Sequence, residues 1–154
     1  MTKILFVCLG NICRSPMAEF VMKELVQEAG IADRFEIASA ATSTWEIGNP
    51  VYPPAREMLA RHGIGCDGKT ARQMTKKDYK YYDLIIGMDR SNLQDMRDIC
   101  GGDPEGKLRL LMDYTDHPGD VADPWFTRNF DDTWRDVGEG CRALLEQLRR
   151  EGAC

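Results

Sequence analysis

The chain has 154 residues, 43% hydrophobic and 29% charged, with a formal net charge of −5. Such a length suits one soluble domain that buries about two-thirds of its surface, so residues 1–154 read as a single globular unit and not as disordered chain. The acidic balance argues against a nucleic-acid partner and requires any bound anion to be held by a local site.

In chain order, Lys3 to Cys8 is a continuous apolar run that reads as a buried strand. Leu9 to Cys13, with Gly10 and Asn11, reads as a loop. Ser15-Pro16 predicts a helix start, Ser at the cap and Pro at the first helical position. Met17, Phe20, Val21 and Leu25 continue that helix and Gly30 stops it. Phe35 to Ala41 is a second strand and Pro53 to His62 a helix ending at Gly63. Tyr82 to Met88 is a third strand, Ser91 to Ile99 a short helix and Lys107 to Met112 a fourth strand. Asp113 to Phe130 is a long loop, and Trp134, Val137, Cys141, Leu144, Leu145 and Leu148 mark one face of a last helix. Alternating strands and helices imply a four-stranded parallel sheet with helices on both faces. Ligands of such sheets bind beyond the carboxyl ends of the strands, which directs attention to the loop after Cys8.

The longest apolar stretch, Ile4 to Leu9, is six residues, whereas a membrane span needs roughly 20 and a signal-peptide core about 7. A cytoplasmic protein without a membrane span is expected. Six cysteines, at 8, 13, 66, 100, 141 and 154, contain no Cys-x-x-Cys pair and no zinc-like cluster. They are expected to be reduced thiols. No metal and no cofactor is called for, and nothing demands assembly beyond a monomer.

A cysteine followed six positions later by an arginine occurs twice, at Cys8…Arg14 and Cys66…Arg72; chance alone supplies about half a match. Context separates them. Cys8 closes a strand and Arg14 opens a helix, so the amides between them and the positive end of the helix can cradle a phosphate. Arg14 adds a planar fork matched to two phosphate oxygens. The same field is expected to favour a nucleophilic thiolate at Cys8. Cys66…Arg72 follows a helix and reads as a structural loop. Gly63 to Thr70 matches a nucleotide-binding pattern, Gly-x4-Gly-Lys-Thr, but it too follows a helix and lacks a strand to deliver it. Asp103-Pro104 reads as a turn. Asp123-Pro124, followed by Trp125-Phe126, can carry an acid and aromatic side chains over a site.

The run Val7-Cys8-Leu9-Gly10-Asn11-Ile12-Cys13-Arg14-Ser15-Pro16, together with Asp123-Pro124, resembles the low-molecular-weight protein tyrosine phosphatases, with a eukaryotic-type look. The likeness continues through Ser39 to Pro50, Ala71-Arg72-Gln73 and Met88-Asp89, and so covers essentially the whole chain. It implies hydrolysis of phosphotyrosine in proteins, with Cys8 as nucleophile, Arg14 as phosphate clamp and Asp123 as general acid and base. It implies that Leu9, Gly10, Asn11, Ile12, Cys13, Ser15 and Ser39 form or order the phosphate-binding loop. Ile12, Trp45, Trp125 and Phe126 fall where the family lines its substrate entrance. Asp89 matches a family position but is equally an ordinary helix cap. Some relatives carry tyrosines at the positions of Trp125 and Phe126; neither residue here can be phosphorylated. Relatives also place a loop-supporting histidine near Gly68-Lys69, and this chain has none there. Its loop is therefore expected to be ordered differently.

Three further readings stay open. The family branch that acts on phosphoarginine has a small polar residue at the position of Ile12. Arsenate reductases of this fold need a closely spaced redox pair, which Cys66 and Cys100 do not form in sequence. Cys13 can capture an oxidised Cys8 as a disulfide, or simply fill buried space.

Overall fold

The computed structural model describes residues 1–152; Cys154 lies outside them. Strands β1 (Thr2–Cys8), β2 (Phe35–Ala41), β3 (Leu84–Gly87) and β4 (Leu108–Leu110) form one parallel sheet in the order β2-β1-β3-β4. The helices are α1 (Arg14–Glu28), α2 (Pro53–Arg61), α3 (Lys76–Tyr81), α4 (Arg90–Cys100), α5 (Pro124–Thr127) and α6 (Phe130–Arg150). The expected α/β architecture is therefore present.

The unbroken apolar character of β1 follows from its central place. Ile4, Phe6 and Cys8 face a core shared with α1, α2 and α6. Leu5 and Val7 face the opposite core, with Tyr79 of α3 and Met96 of α4. Both faces being covered, no polar alternation survives. The chain leaves β1 for β2 on one side and reaches β3 on the other, so the direction of winding reverses at the carboxyl end of β1. That reversal opens a crevice between the segments following Cys8 and Gly87.

Several local expectations are corrected. The cap of α1 is Cys13, not Ser15, and no side chain caps it. The Ser15 hydroxyl is engaged instead with the Cys8 sulfur and the Asn11 amide. Pro16 still lies in the first turn, where its missing N–H breaks no helical bond. Helix α3 falls where no element was expected; a capping box between Thr75 and Asp78 starts it. Its last turn claims the segment up to Tyr82, so β3 begins only at Leu84. Strand β4 stops at Leu110 because Leu111–Tyr114 turns into a 3₁₀ helix packed on α6. There Leu111 sits on Gly140, where a Cβ would lie 2.5 Å from the leucine Cγ. The long loop holds the short helix α5, and α6 starts at Phe130 because the Asn129 side chain accepts from the N–H groups of Asp131 and Asp132. Among the described residues, no helix is long and apolar enough to cross a membrane.

Candidate active site

The loop from Cys8 to Arg14 is held by its carbonyls. The carbonyl oxygen of Cys8 accepts from Thr42 N–H (2.9 Å), that of Leu9 from Ser43 N–H (3.1 Å), and that of Ile12 from Tyr52 N–H (2.9 Å). The N–H groups of Leu9, Gly10, Ile12 and Cys13 have no hydrogen-bond partner among the described residues. With the uncapped first turn of α1, this leaves a run of donors fit for an anion. Asn11 takes a left-handed backbone, φ 59°, which asparagine tolerates better than most residues. Its N–H donates to Cys8 Sγ at 3.3 Å.

The strained Asn11 is pinned by its side chain. Nδ2 donates to Ser15 Oγ (2.8 Å) and Ser39 Oγ (2.9 Å), while Oδ1 accepts from Arg72 N–H (3.2 Å). Ser39 Oγ donates to Glu19 Oε1 at 2.6 Å. The carboxylate accepts only, so it sets the direction of the whole chain of bonds. Ser39 spends its proton on Glu19 and must accept from Asn11. Ser15 likewise accepts from Asn11, which leaves its own proton for Cys8 Sγ, 3.0 Å away, or for the Ala40 carbonyl, 3.5 Å away.

Glu19 and Lys69 were not singled out from the sequence. Lys69 Nζ donates to the Ser39 carbonyl (2.8 Å) and lies 3.7 Å from Glu19 Oε1; Lys23 Nζ is 2.6 Å from Glu19 Oε2. Burial lowers the Lys69 ammonium from its ordinary value, against the pull of Glu19. Lys69 thus ties the Ser39 carbonyl and the Glu19 carboxylate together behind the loop. Glu19 carried a signal: a charge four residues after Ser15 stands on the same helical face as that buried serine.

Arg14 is 4% exposed. Its Nη1 donates to Asp89 Oδ2 (2.8 Å) and the Val121 carbonyl (3.2 Å), and Nη2 lies 3.5 Å from Asp123 Oδ2. Burial would lower its pKa, but the charges of Cys8, Asp89 and Asp123 outweigh burial and raise it. Asp89 makes two contacts at once. Its Oδ1 caps α4 by accepting from Asn92 N–H (2.7 Å) while Oδ2 holds Arg14. Asp123 caps α5 through Trp125 N–H (3.0 Å), and Pro124 takes the first helical position.

A cavity of about 300 Å³ opens over this loop, lined by Cys8, Leu9, Gly10, Cys13, Arg14 and Asp123, with walls from Ile12, Trp45, Trp125, Phe126 and Glu46. The structure brings these residues together, all but Glu46 expected from the sequence; the side chains of Asn11, Ser15 and Ser39 are fully buried beneath the loop. Trp45, Trp125 and Phe126 are exposed, at 75%, 55% and 87%, and frame an apolar mouth. Tyr52, not anticipated, props Trp125 with ring centroids 4.8 Å apart. Burial, with the charges of Cys8 and Asp123, pushes the Cys13 thiol up to about 12 against Arg14 and Trp125.

The competing motifs do not converge on a site. Arg72 is bound by both oxygens of Asp78, at 3.1 Å each. The Gly63–Thr70 segment follows α2 and ends in a bridge between Thr70 and Pro50, with no helix behind it. Cys66 and Cys100 lie in separate cores on opposite faces of the sheet. His62 stacks on Trp134 and His117 contacts Glu139. Among the described residues, no group of three or more His, Cys, Asp or Glu is placed to hold a metal ion.

A crevice beyond a parallel sheet, with a cysteine and an arginine on one loop of unpartnered amides and an aspartate 3.5 Å from that arginine, is suited to hold a phosphate-like anion beside a thiol. Residues 3–153 match the sequence profile of the family described as low molecular weight phosphotyrosine protein phosphatase. The chain is 39% identical over 153 residues to the low molecular weight protein-tyrosine-phosphatase YfkJ of Bacillus subtilis, covering 98% of both chains. It is 39% identical over 149 residues to the low molecular weight phosphotyrosine protein phosphatase of Gallus gallus, covering 94% of each. The crystal structure of YfkJ superposes with a TM-score of 0.94 at 38% identity, over 98% of this chain and 96% of that one. That of DARP, a drosophila arginine phosphatase, gives 0.86 at 28% identity, over 96% and 98%. The chain belongs to the low molecular weight phosphotyrosine protein phosphatase family, and is an enzyme of the protein-tyrosine-phosphatase class.

Proposed function

We propose that this enzyme hydrolyses phosphotyrosine in proteins, and small aryl phosphates, through a phosphocysteine formed on Cys8. The thiolate of Cys8 attacks phosphorus while Arg14 and the loop amides hold the three equatorial oxygens. Asp123 gives its proton to the leaving phenolate, a contribution typically worth 10²–10⁴-fold. Asp123 then takes a proton from the water that attacks phosphocysteine, and Cys8 leaves again as thiolate with Ser15 O–H donating to it. Asn11, Ser15 and Ser39 keep the loop in its strained form.

The observation that carries this reading is the convergence on Arg14. Arg14 and Cys8 line one cavity and the Arg14 guanidinium lies 3.5 Å from the Asp123 carboxylate, which supports a phosphoryl group held between nucleophile and acid. Ile12 and the three exposed aromatic side chains supply apolar walls that suit a flat ring. Phosphoarginine is the second reading, favoured by the structural likeness to an arginine phosphatase; the apolar Ile12 weighs against it. The test is a chelator-treated phosphatase assay on phosphotyrosine, phosphoserine and phosphoarginine, run beside Cys8→Ser and Asp123→Asn. Phosphotyrosine turnover lost in Cys8→Ser, and slowed most for poor leaving groups in Asp123→Asn, supports the reading. Preferred turnover of phosphoarginine overturns the substrate assignment.

Tyrosine-phosphorylated proteins are the proposed partners, met by a monomer in the cytoplasm. The five described cysteines are free thiols, in keeping with a reducing compartment. Cys13 is proposed as the redox partner of Cys8; both residues line the same cavity. Mild peroxide should yield a Cys8–Cys13 disulfide by mass spectrometry, and overoxidised Cys8 without that link rejects the role.

A further inference from the structure

Away from the catalytic crevice, α1, the segment ending α2 and α6 enclose a hollow of about 290 Å³, at the small end of the range for ligand cavities. It shares no residue with the catalytic cavity. Val21 and Leu25 of α1, with Ile64, give it an apolar side. His62 and Trp134, stacked with ring centroids 4.3 Å apart, form an aromatic wall, and the Met58 carbonyl 3.0 Å from His62 Nδ1 holds the imidazole in place. The rim carries both signs of charge, Glu24 and Glu28 on α1 and Arg135 and Arg142 on α6. Arg135 pairs with Asp132 at 3.2 Å. Among the described residues, the side chains of Glu24, Glu28 and Arg142 make no hydrogen bond and no ion pair.

A glycine shapes this hollow. Gly138 is buried inside α6, where glycine weakens a helix relative to alanine. The nearby Gly140 is needed because Leu111 presses on it, but Gly138 has no such neighbour. The three atoms closest to a Cβ at Gly138 all belong to the Arg142 guanidinium, at 3.1, 3.7 and 3.8 Å. Trp134, Gly138 and Arg142 follow one another at intervals of four, so ring, gap and guanidinium share one face of α6. The guanidinium thus lies back over the gap, and no carboxylate of α1 comes within ion-pairing distance of it. A ligand with one charge would satisfy one rim and leave the other unpaired. An apolar body carrying an anion and a cation satisfies both. We propose that this hollow binds a free α-amino acid with a large apolar side chain. Its carboxylate takes the Arg142 fork, its ammonium pairs with the half-buried Glu24, and its side chain lies on Val21, Leu25 and Ile64 beside the Trp134 ring.

The chain has three tryptophans, so three indole N–H signals in a ¹⁵N-labelled sample report where a ligand sits. Titration with L-phenylalanine should move the Trp134 signal, assigned through Trp134→Phe, and leave those of Trp45 and Trp125 in place. A dissociation constant of about millimolar suits a ligand of this size. N-acetyl-L-phenylalanine, which lacks the cation, and L-phenylalaninamide, which lacks the carboxylate, should each bind about 3- to 5-fold more weakly, the size of a partly exposed ion pair. Glycine, without the apolar body, should not bind. Glu24→Gln should weaken phenylalanine but not its N-acetyl derivative, and Arg142→Gln should weaken phenylalanine but not its amide. Both variants should keep wild-type turnover of para-nitrophenyl phosphate. A Trp134 signal unmoved at about 20 mM phenylalanine, well above the expected constant, overturns the proposal. So does equal binding of all three phenylalanine compounds, or movement confined to Trp45 and Trp125, which would place the ligand at the catalytic mouth.

Discussion

Asp89 joins two functions that a pair of substitutions separates. Its Oδ2 holds Arg14 Nη1 at 2.8 Å, and its Oδ1 caps α4 through Asn92 N–H at 2.7 Å. Arg14 and Asp89 side chains are 5% and 18% exposed, so the ion pair is partly shielded from water. A charge-assisted bond of this kind contributes about 1.5–3 kcal/mol, and the cap about 1 kcal/mol. Asp89→Ala removes both, for a loss of about 2.5–4 kcal/mol. Asp89→Asn has one oxygen and must choose; using it for the cap turns an NH₂ group towards Arg14. Once released, Arg14 retains only the Val121 carbonyl and the longer contact to Asp123. A displacement of about 1 Å in a positioning group can cost 10²-fold. Both variants should therefore lose about 10- to 100-fold in kcat/KM for para-nitrophenyl phosphate and bind vanadate more weakly. Asp89→Ala should also melt at least about 4 °C lower, at 2–4 °C per kcal/mol. If both keep kcat/KM within about two-fold while only the melting temperature falls, Asp89 is a cap alone and its grip on Arg14 has no catalytic consequence.

Lys69→Met, which keeps the stem but removes the charge beside Glu19 and the bond to the Ser39 carbonyl, should lower kcat about 3- to 10-fold through a looser Asn11; unchanged kcat would exclude Lys69 from loop ordering. Gly140→Ala drives a methyl group against Leu111 and should cost about 1–3 kcal/mol in urea unfolding, with kcat per folded molecule unaltered; an equally stable variant would show that α6 and the Leu111 turn can part freely. Asp103 is raised by burial, but the Tyr79 hydroxyl and the N–H groups of Lys107 and Leu108 outweigh it and hold the carboxyl below its ordinary value. Its folded value being depressed, Asp103 stabilises the fold above its unfolded pKa of about 3.9, and that contribution is lost as pH falls through the lower folded value. Asp103→Asn should thus be less stable than wild type at pH 6, with the gap closing towards pH 2; a gap independent of pH would refute the linkage.

The elements that were legible have strong local signals. The apolar run of β1, the strand Phe35 to Ala41, and the apolar face of α6 needed no knowledge of what they pack against. Helix α3 was missed because its six residues, Lys76–Tyr81, are all charged or tyrosine and carry no apolar period. Ser15 looked like a cap since serine before proline usually is one. The network behind the loop took that hydroxyl for Cys8 and Asn11 instead. Glu19, Lys69 and Tyr52 escaped notice for the same reason: each acts through a partner 20 or more residues away, with the Ser39 carbonyl accepting from Lys69 across 30 positions and the Ser39 hydroxyl donating to Glu19 across 20.

Sequence by itself determined the parallel α/β class and the anion-binding character of the turn after β1. Strand, glycine-bearing loop and helix start lie within a dozen residues, and backbone preferences act at that range. Only the tertiary structure decided which far-off side chains share the crevice: Asp89 and Asp123 on Arg14, Glu19 and Lys69 behind Asn11, and Glu46 in its wall. Those meetings depend on strand order and on where winding reverses, which are set by the burial of whole faces against one another and leave no mark on any single stretch of chain.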